Sequence, residues 1–68
     1  MQDRIAVRVL NPKDIMFVDR AFEASDGLGI VSTCDGKTGD IVVYVTPDTR
    51  ADAIEMLKHL PVPVEIKE

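Results

Sequence analysis

The sequence predicts an α+β fold in which two helices cover one face of a four-stranded antiparallel sheet. Segments with apolar residues at every second position alternate with segments at helical spacing, in the order β-α-β-β-α-β. The chain has 68 residues, so six short elements use nearly all of it. Turn and cap residues separate these segments where the periodicity changes.

The first two elements are a strand and the helix that follows it. Residues 4–10 place Ile5, Val7 and Val9 on one face of a half-buried strand. Asn11 is a good N-cap, and Pro12 suits the first helical position. The helix should end at 26–27, an Asp-Gly pair. Its predicted apolar stripe consists of Ile15, Phe17, Val18, Ala21, Phe22 and Ala24.

The middle of the chain predicts two β-rich strands and a hairpin. Residues 28–34 and 41–46 are rich in β-branched side chains, and a short turn at 35–39 joins them. Gly29 indicates a close backbone approach near the start of the first of these strands. The face predicted to lie against the helices carries Leu28, Ile30, Ser32 and Cys34.

The last two elements are a helix and an edge strand. Thr49 with Asp52 is a plausible capping box, although Asp48 or Thr46 could cap instead. Pro61 ends this helix, and Pro63 marks residues 62–66 as an edge strand. The buried stripe of the helix is predicted to contain Ala53, Ile54, Leu57 and Leu60.

With right-handed crossovers, these elements close into a ferredoxin-like two-layer sandwich. The predicted sheet order is 4-1-3-2, with both helices on one face. Residues 1–68 are expected to form a single domain.

Composition narrows the classes of function. The net charge is −4 and the basic residues are scattered, which argues against nucleic acid and anionic membranes as partners. There is no long apolar run or signal-peptide core, and one cysteine fits a reducing compartment, so the cytoplasm is expected. Because so short a chain has a thin core, a homodimer is expected.

No motif in the chain supports catalysis or a cofactor. The glycines at 27 and 29 would need a third at position 32 to match a dinucleotide fingerprint, and Ser32 is there. His59 is the only histidine, and Ser25 and Ser32 have no evident base. We therefore expect no enzyme activity, metal or cofactor. Cys34 is interpreted mainly as a small hydrophobe, with a thiol or metal protein that uses Cys34 as a lesser alternative.

One surface stands out as an association candidate. The sheet face away from the helices should have a small apolar centre at Ala6, Val42 and Tyr44, with Arg8 beside it. Met16, an apolar residue on the polar side of helix 1, is a weaker sign of the same kind. The rest of the predicted open face consists of Arg4, Val31, Thr33, Thr46, Glu65 and Lys67.

Residues 14–60, "DIMFVDRAFEASDGLGIVSTCDGKTGDIVVYVTPDTRADAIEMLKHL", resemble a small bacterial single-domain family with no established activity. The features that carry the resemblance are an Asp-Gly turn after helix 1, a Thr late in strand 2 and a Pro-Asp before helix 2.

The topology is also similar to that of ACT-type regulatory domains, which bind amino acids or other small molecules at the strand 1–helix 1 loop of paired domains. Asn11-Pro12 matches that loop in part, whereas Lys13 and Asp14 replace its glycine. The resemblance implies a non-enzymatic binding module, with an amino-acid-like molecule or a protein partner. A ligand would lie near Asn11, Pro12, Lys13 and Asp14, where the helix N-terminus offers N–H groups to an anion. The alternative is a protein-interaction subunit without a ligand.

Overall fold

The computed structural model describes residues 3–67, and the predicted domain bounds of 1 and 68 lie outside that range. Within the described residues, no helix is long and apolar enough to cross a membrane. The elements follow the predicted order: β1 (Asp3–Val9), a 3₁₀ turn (Pro12–Asp14), α1 (Ile15–Glu23), β2 (Ile30–Asp35), β3 (Asp40–Val45), α2 (Arg50–Lys58) and β4 (Val64–Ile66).

The strands form one antiparallel sheet in the order β2-β3-β1-β4, which is 4-1-3-2 when it is read from the opposite edge. β3 and β1 lie in the centre, and β3 is paired with β1 along its whole length, from Asp3 opposite Val45 to Arg8 opposite Asp40. β2 and β4 form the two edges. β4 is shorter than its sequence pattern predicts, because it begins after Pro63, which has no N–H to donate to a neighbouring strand.

The core lies between one face of the central strands and the two helices. Alternation along β1 and β3 puts an unbroken set of Val and Ile side chains on that face, and both helices pack on it. The helices are therefore on the same side of the sheet, as the amphipathic patterns predict. The buried residues of this core are Ile5, Val7, Val9, Val18, Phe22, Ile41, Val43, Val45, Ala53 and Leu57.

The predicted facing of β2 is wrong. Val31 and Thr33 pair with Val43 and Ile41 and therefore lie on the helix side of the sheet, whereas Ile30 lies on the open side. Cys34, predicted to face the helices, is exposed at a bulge between Thr33 and Asp35. The prediction failed because β2 is an edge strand with little burial on either face, so its alternation carries no burial signal.

Two details of the helices also differ from the prediction. Phe17 and Ala24 are exposed, so the buried stripe of α1 is narrower and centres on Val18 and Phe22. The capping box at Thr49 does not form, because its hydroxyl accepts a hydrogen bond from the Thr46 N–H at 3.1 Å. Thr49 therefore stabilises the turn before α2 and not the first amides of the helix.

The β2–β3 hairpin is held by side-chain and backbone turn contacts. The Asp35 carboxylate accepts a hydrogen bond from the Lys37 N–H at 2.9 Å, and Asp35 O accepts one from the Gly39 N–H at 3.0 Å. Gly39 has φ +84°, and its carbonyl oxygen accepts a hydrogen bond from the Val9 N–H at 2.8 Å. The predicted close approach at Gly29 is confirmed, because a Cβ there would lie 3.1 Å from Tyr44 O. The hydrogen bonds within the turn and the one between Gly39 and Val9 fix the hairpin against the end of β1.

Candidate functional site

The β1–α1 loop, predicted to bind a ligand, satisfies its own backbone amides. The Asn11 side chain accepts a hydrogen bond from the Lys13 N–H at 3.2 Å, which confirms Asn11 as a cap. The Asp14 N–H donates to Asn11 O at 2.8 Å, and the Ile15 N–H donates to Pro12 O. These three N–H groups therefore already have acceptors within the loop and are not available to an anion. A ligand at this loop has to be recognised by side chains.

Such side chains surround a cleft between α1 and the outer edge of β2. The cleft has a volume of about 440 Å³. Of the four predicted ligand-binding residues, Pro12 and Lys13 line it, whereas Asn11 and Asp14 do not. The other lining residues are Ile15, Met16, Asp19, Thr33 and Gly36.

The cleft contains one cation and one anion beside apolar surface. Lys13 is exposed and Asp19 is half-buried, and neither side chain pairs with another residue in the described part of the chain. Met16 is 61% exposed, and it lines the cleft together with two other apolar residues, Pro12 and Ile15. Sequence reasoning missed Asp19 as a site residue, because a lone acid on a polar helix face gives no signal. The signal in the sequence for this cleft is Met16, an apolar residue on the otherwise polar face of α1.

A second cleft of about 440 Å³ continues the groove toward the start of β2. Asp19 lines both clefts, so the two adjoin beside β2, and they are together called the groove. A smaller hollow of about 160 Å³ at the β2–α2 end is below the size of ordinary ligand sites, which start at about 300 Å³. The lining of the second cleft also contains Phe22, Glu23, Gly27, Gly29, Ile30 and Val31.

The four residues predicted as an association surface share the open face of the sheet. Ala6 lies opposite Val42 across β1 and β3, and Arg8 and Tyr44 lie on the same face. Ala6 and Arg8 are exposed, whereas Val42 and Tyr44 are half-buried. Val31 and Thr33, predicted on this face, are on the other side. Their places are taken by Ser32 and by Ile30, which is 66% exposed.

Asp40 is the centre of an ion cluster at one end of the open face. Arg8 Nε lies 3.1 Å and Lys67 Nζ 3.2 Å from Asp40 Oδ1, and the Thr38 hydroxyl donates to Asp40 Oδ2 at 2.7 Å. The hydrogen bond from Arg8, followed by those from Thr38 and Lys67, holds the pKa of Asp40 well below its usual range. The cluster joins β1, β3 and the chain after β4, so its role is structural.

We expect Asp40→Asn to lower the melting temperature at neutral pH and to lose this effect in acid. A carboxylate whose folded-state pKa is depressed stabilises the fold above its ordinary pKa, about 4, and this contribution declines as the pH falls below that value. Thermal unfolding between about pH 2 and pH 6 should show the two proteins converging. Asp48→Asn, at an exposed position, is the control. A difference that stays constant in acid would contradict the prediction.

Cys34 and His59 belong to different elements of the fold. Cys34 is a free, exposed thiol in β2, and His59 Nδ1 lies 2.8 Å from Glu55 O at the end of α2. Among residues 3–67, no group of three or more His, Cys, Asp or Glu side chains is arranged to hold a metal ion.

The comparisons with known proteins identify the family of the chain. A family model described as "Domain of unknown function (DUF4911)" matches residues 7–64, from the middle of β1 to the first residue of β4. No curated protein and no solved structure shows a significant match. Because the matched range covers most of the chain, this protein belongs to the DUF4911 family of small domains of unknown function.

Proposed function

We propose that this protein is a non-enzymatic, ACT-like module of ferredoxin-like architecture that works as a dimer and binds a small, amino-acid-like molecule. The ligand lies in the cleft lined by Lys13, Met16 and Asp19. The observation that carries this proposal is the presence of one cation and one anion, not paired with each other, beside exposed apolar surface in a cleft of about 440 Å³.

The chemistry of the lining fits a zwitterion. The Lys13 ammonium attracts a carboxylate, the Asp19 carboxylate attracts an ammonium group, and Met16 with Ile15 offers contact to an apolar side chain. The volume falls within the range of small-molecule sites, about 300–1,000 Å³. The lining includes one hydroxyl, that of Thr33, and neither a histidine nor a thiol, which favours binding over nucleophilic chemistry.

Calorimetry against the common amino acids tests this function. Lys13→Met and Asp19→Asn are each expected to weaken the tightest ligand at least about tenfold, because each removes one charged contact. The matched controls are Lys58→Met and Asp52→Asn, which change the same charges at exposed α2 positions outside the cleft. The ligand should also raise the melting temperature of the wild type. Absence of binding by every amino acid would contradict the proposal.

The second candidate function is a protein-interaction subunit that uses the open face of the sheet. Its support is the apolar area formed by Ile30, Val42 and Tyr44 with Ala6. Ala6→Glu puts a charge in the centre of this area and should abolish recovery of a partner by the purified protein. Ala51→Glu, at an exposed position on α2, should leave the recovery unchanged.

A further inference from the structure

The two edges of the sheet differ in their protection against pairing with another strand. β4 is only three residues long, follows Pro63 and precedes Lys67, and short length, proline and lysine all discourage pairing at an edge. β2 has six residues and contains no proline, lysine or arginine. Its irregularity is a bulge near its end, between Thr33 and Asp35. The edge at β2 is therefore the one where a further strand can add.

The hydrogen-bond alternation identifies the backbone groups at this edge. The Val9 N–H donates to Gly39 O, so the odd-numbered residues of β3 direct their backbone groups to β1. The even-numbered residues of β3 then bond to the even-numbered residues of β2 before the bulge. It follows that Val31 and Thr33 direct their N–H and C=O groups outward, away from the sheet.

Large apolar side chains are exposed on both sides of this edge. Ile30, 66% exposed, lies on the open face, and Met16, 61% exposed, lies on the helix side beside Thr33. They are two of the four most exposed large apolar residues among residues 3–67. A strand added at β2 would cover both.

The groove beside the edge has opposite charges at its two ends. Lys13 lines the cleft near Thr33, late in β2, and Glu23 lines the cleft near Ile30, at the start of β2. A rotation of 180° about an axis perpendicular to the sheet reverses the direction of the groove. It therefore brings the basic end of one copy to the acidic end of the other, so the surface is complementary to itself in charge. Asp19 lies midway along the groove. The Asp19 carboxylates of the two copies repel each other, and this repulsion limits the affinity of the dimer.

We propose that a second copy of this chain pairs with this edge, β2 against β2, antiparallel about a twofold axis at Ser32. In this register Val31 of each copy exchanges two N–H···O hydrogen bonds with Thr33 of the other. Every outward backbone group in the regular part of β2 is then satisfied. Registers shifted by two residues would instead use Gly29, outside the strand, or Asp35, beyond the bulge. The inference deepens the dimeric part of the proposed function, and it uses Lys13, Met16 and Asp19, which also line the proposed ligand cleft.

A disulfide at the axis tests this register. Residues that face each other in a non-hydrogen-bonded pair have Cα atoms about 4.5 Å apart, within the span of a disulfide. The double variant Ser32→Cys, Cys34→Ser is expected to form a covalent dimer under mild oxidation, seen on a non-reducing gel. The control Glu65→Cys, Cys34→Ser carries its thiol on the protected edge and should run as a monomer on the same gel, without a covalent cross-link. Equal cross-linking of the two variants, or none of the first, would overturn the register.

Sedimentation velocity from micromolar to millimolar protein tests the edge itself. Ile30→Lys should weaken the dimer at least about tenfold, whereas Leu10→Lys, 57% exposed and beside β4, should leave it unchanged. Circular dichroism confirms that each variant is folded. A wild type that is monomeric throughout, or a dimer insensitive to Ile30→Lys, would overturn the inference. Amino-acid binding by such a monomer would leave the ligand part of the proposed function standing.

Discussion

Phe22→Ala is expected to lower the free energy of unfolding by about 3–5 kcal/mol. Phe22 is the largest fully buried side chain, 2% exposed, and it joins α1 to the core face of the sheet. Truncation removes its transfer free energy and leaves a cavity that a small core cannot fill by relaxing. A domain of this size has a total stability near the low end of about 5–15 kcal/mol, so we expect a largely unfolded population at 37 °C.

Phe17→Ala is the matched control for this experiment. It makes the same chemical change in the same helix at a residue that is 45% exposed, and we expect a loss of at most about 1 kcal/mol. Urea unfolding followed by circular dichroism measures both variants. The sequence pattern places both phenylalanines in one apolar stripe, although only Phe22 is buried. A larger loss at Phe22 would therefore reflect burial and not hydrophobic periodicity. Equal losses would show that the core does not centre on Phe22.

Gly39→Ala is expected to cost about 3 kcal/mol or more. Gly39 has φ +84°, where an L-residue is strained, and a Cβ there would overlap the carbonyl oxygen of Val9. Relief of this overlap requires the hairpin to move away from β1, which breaks the hydrogen bond from the Val9 N–H to Gly39 O. Since the hairpin supplies Gly36 to the cleft proposed to bind a ligand, we also expect the variant to lose affinity for any amino acid that the wild type binds.

Gly27→Ala provides the comparison that isolates the overlap. Gly27 has nearly the same dihedral angle, φ +83°, but a Cβ there meets nothing within 4 Å. We expect about 1 kcal/mol from backbone strain alone. Thermal and urea unfolding of the two variants gives the difference. Equal losses of unfolding free energy at both glycines would mean that the hairpin moves away from the Val9 carbonyl oxygen at little cost.

The interior strands and the helix start could be predicted from particular residues. The alternation of Ile5, Val7 and Val9 predicts the core face of β1, because a strand that is buried on one side has apolar residues at every second position. Asn11-Pro12 predicts the start of the α1 segment, because capping depends on residues adjacent in the chain. β2 could not be predicted in the same way. Its facing depends on the register with β3, and an edge strand with β-branched residues on both faces leaves no pattern in its own sequence.

The candidate site was predictable only in part for a related reason. Pro12 and Lys13 belong to a loop that its own residues mark as a turn into a helix. Asp19, Thr33 and Gly36 come from elsewhere in the chain, and they meet Lys13 only because α1 lies beside the free edge of β2.

The sequence by itself determined the element order, the core faces of the central strands and the turns, because these follow from hydrophobic periodicity and from contacts between near neighbours in the chain. The tertiary structure alone decided which way β2 faces, that Cys34 is exposed, and that one cation and one anion share a cleft. These features depend on strand register and on the packing of segments distant in sequence, which no local pattern encodes.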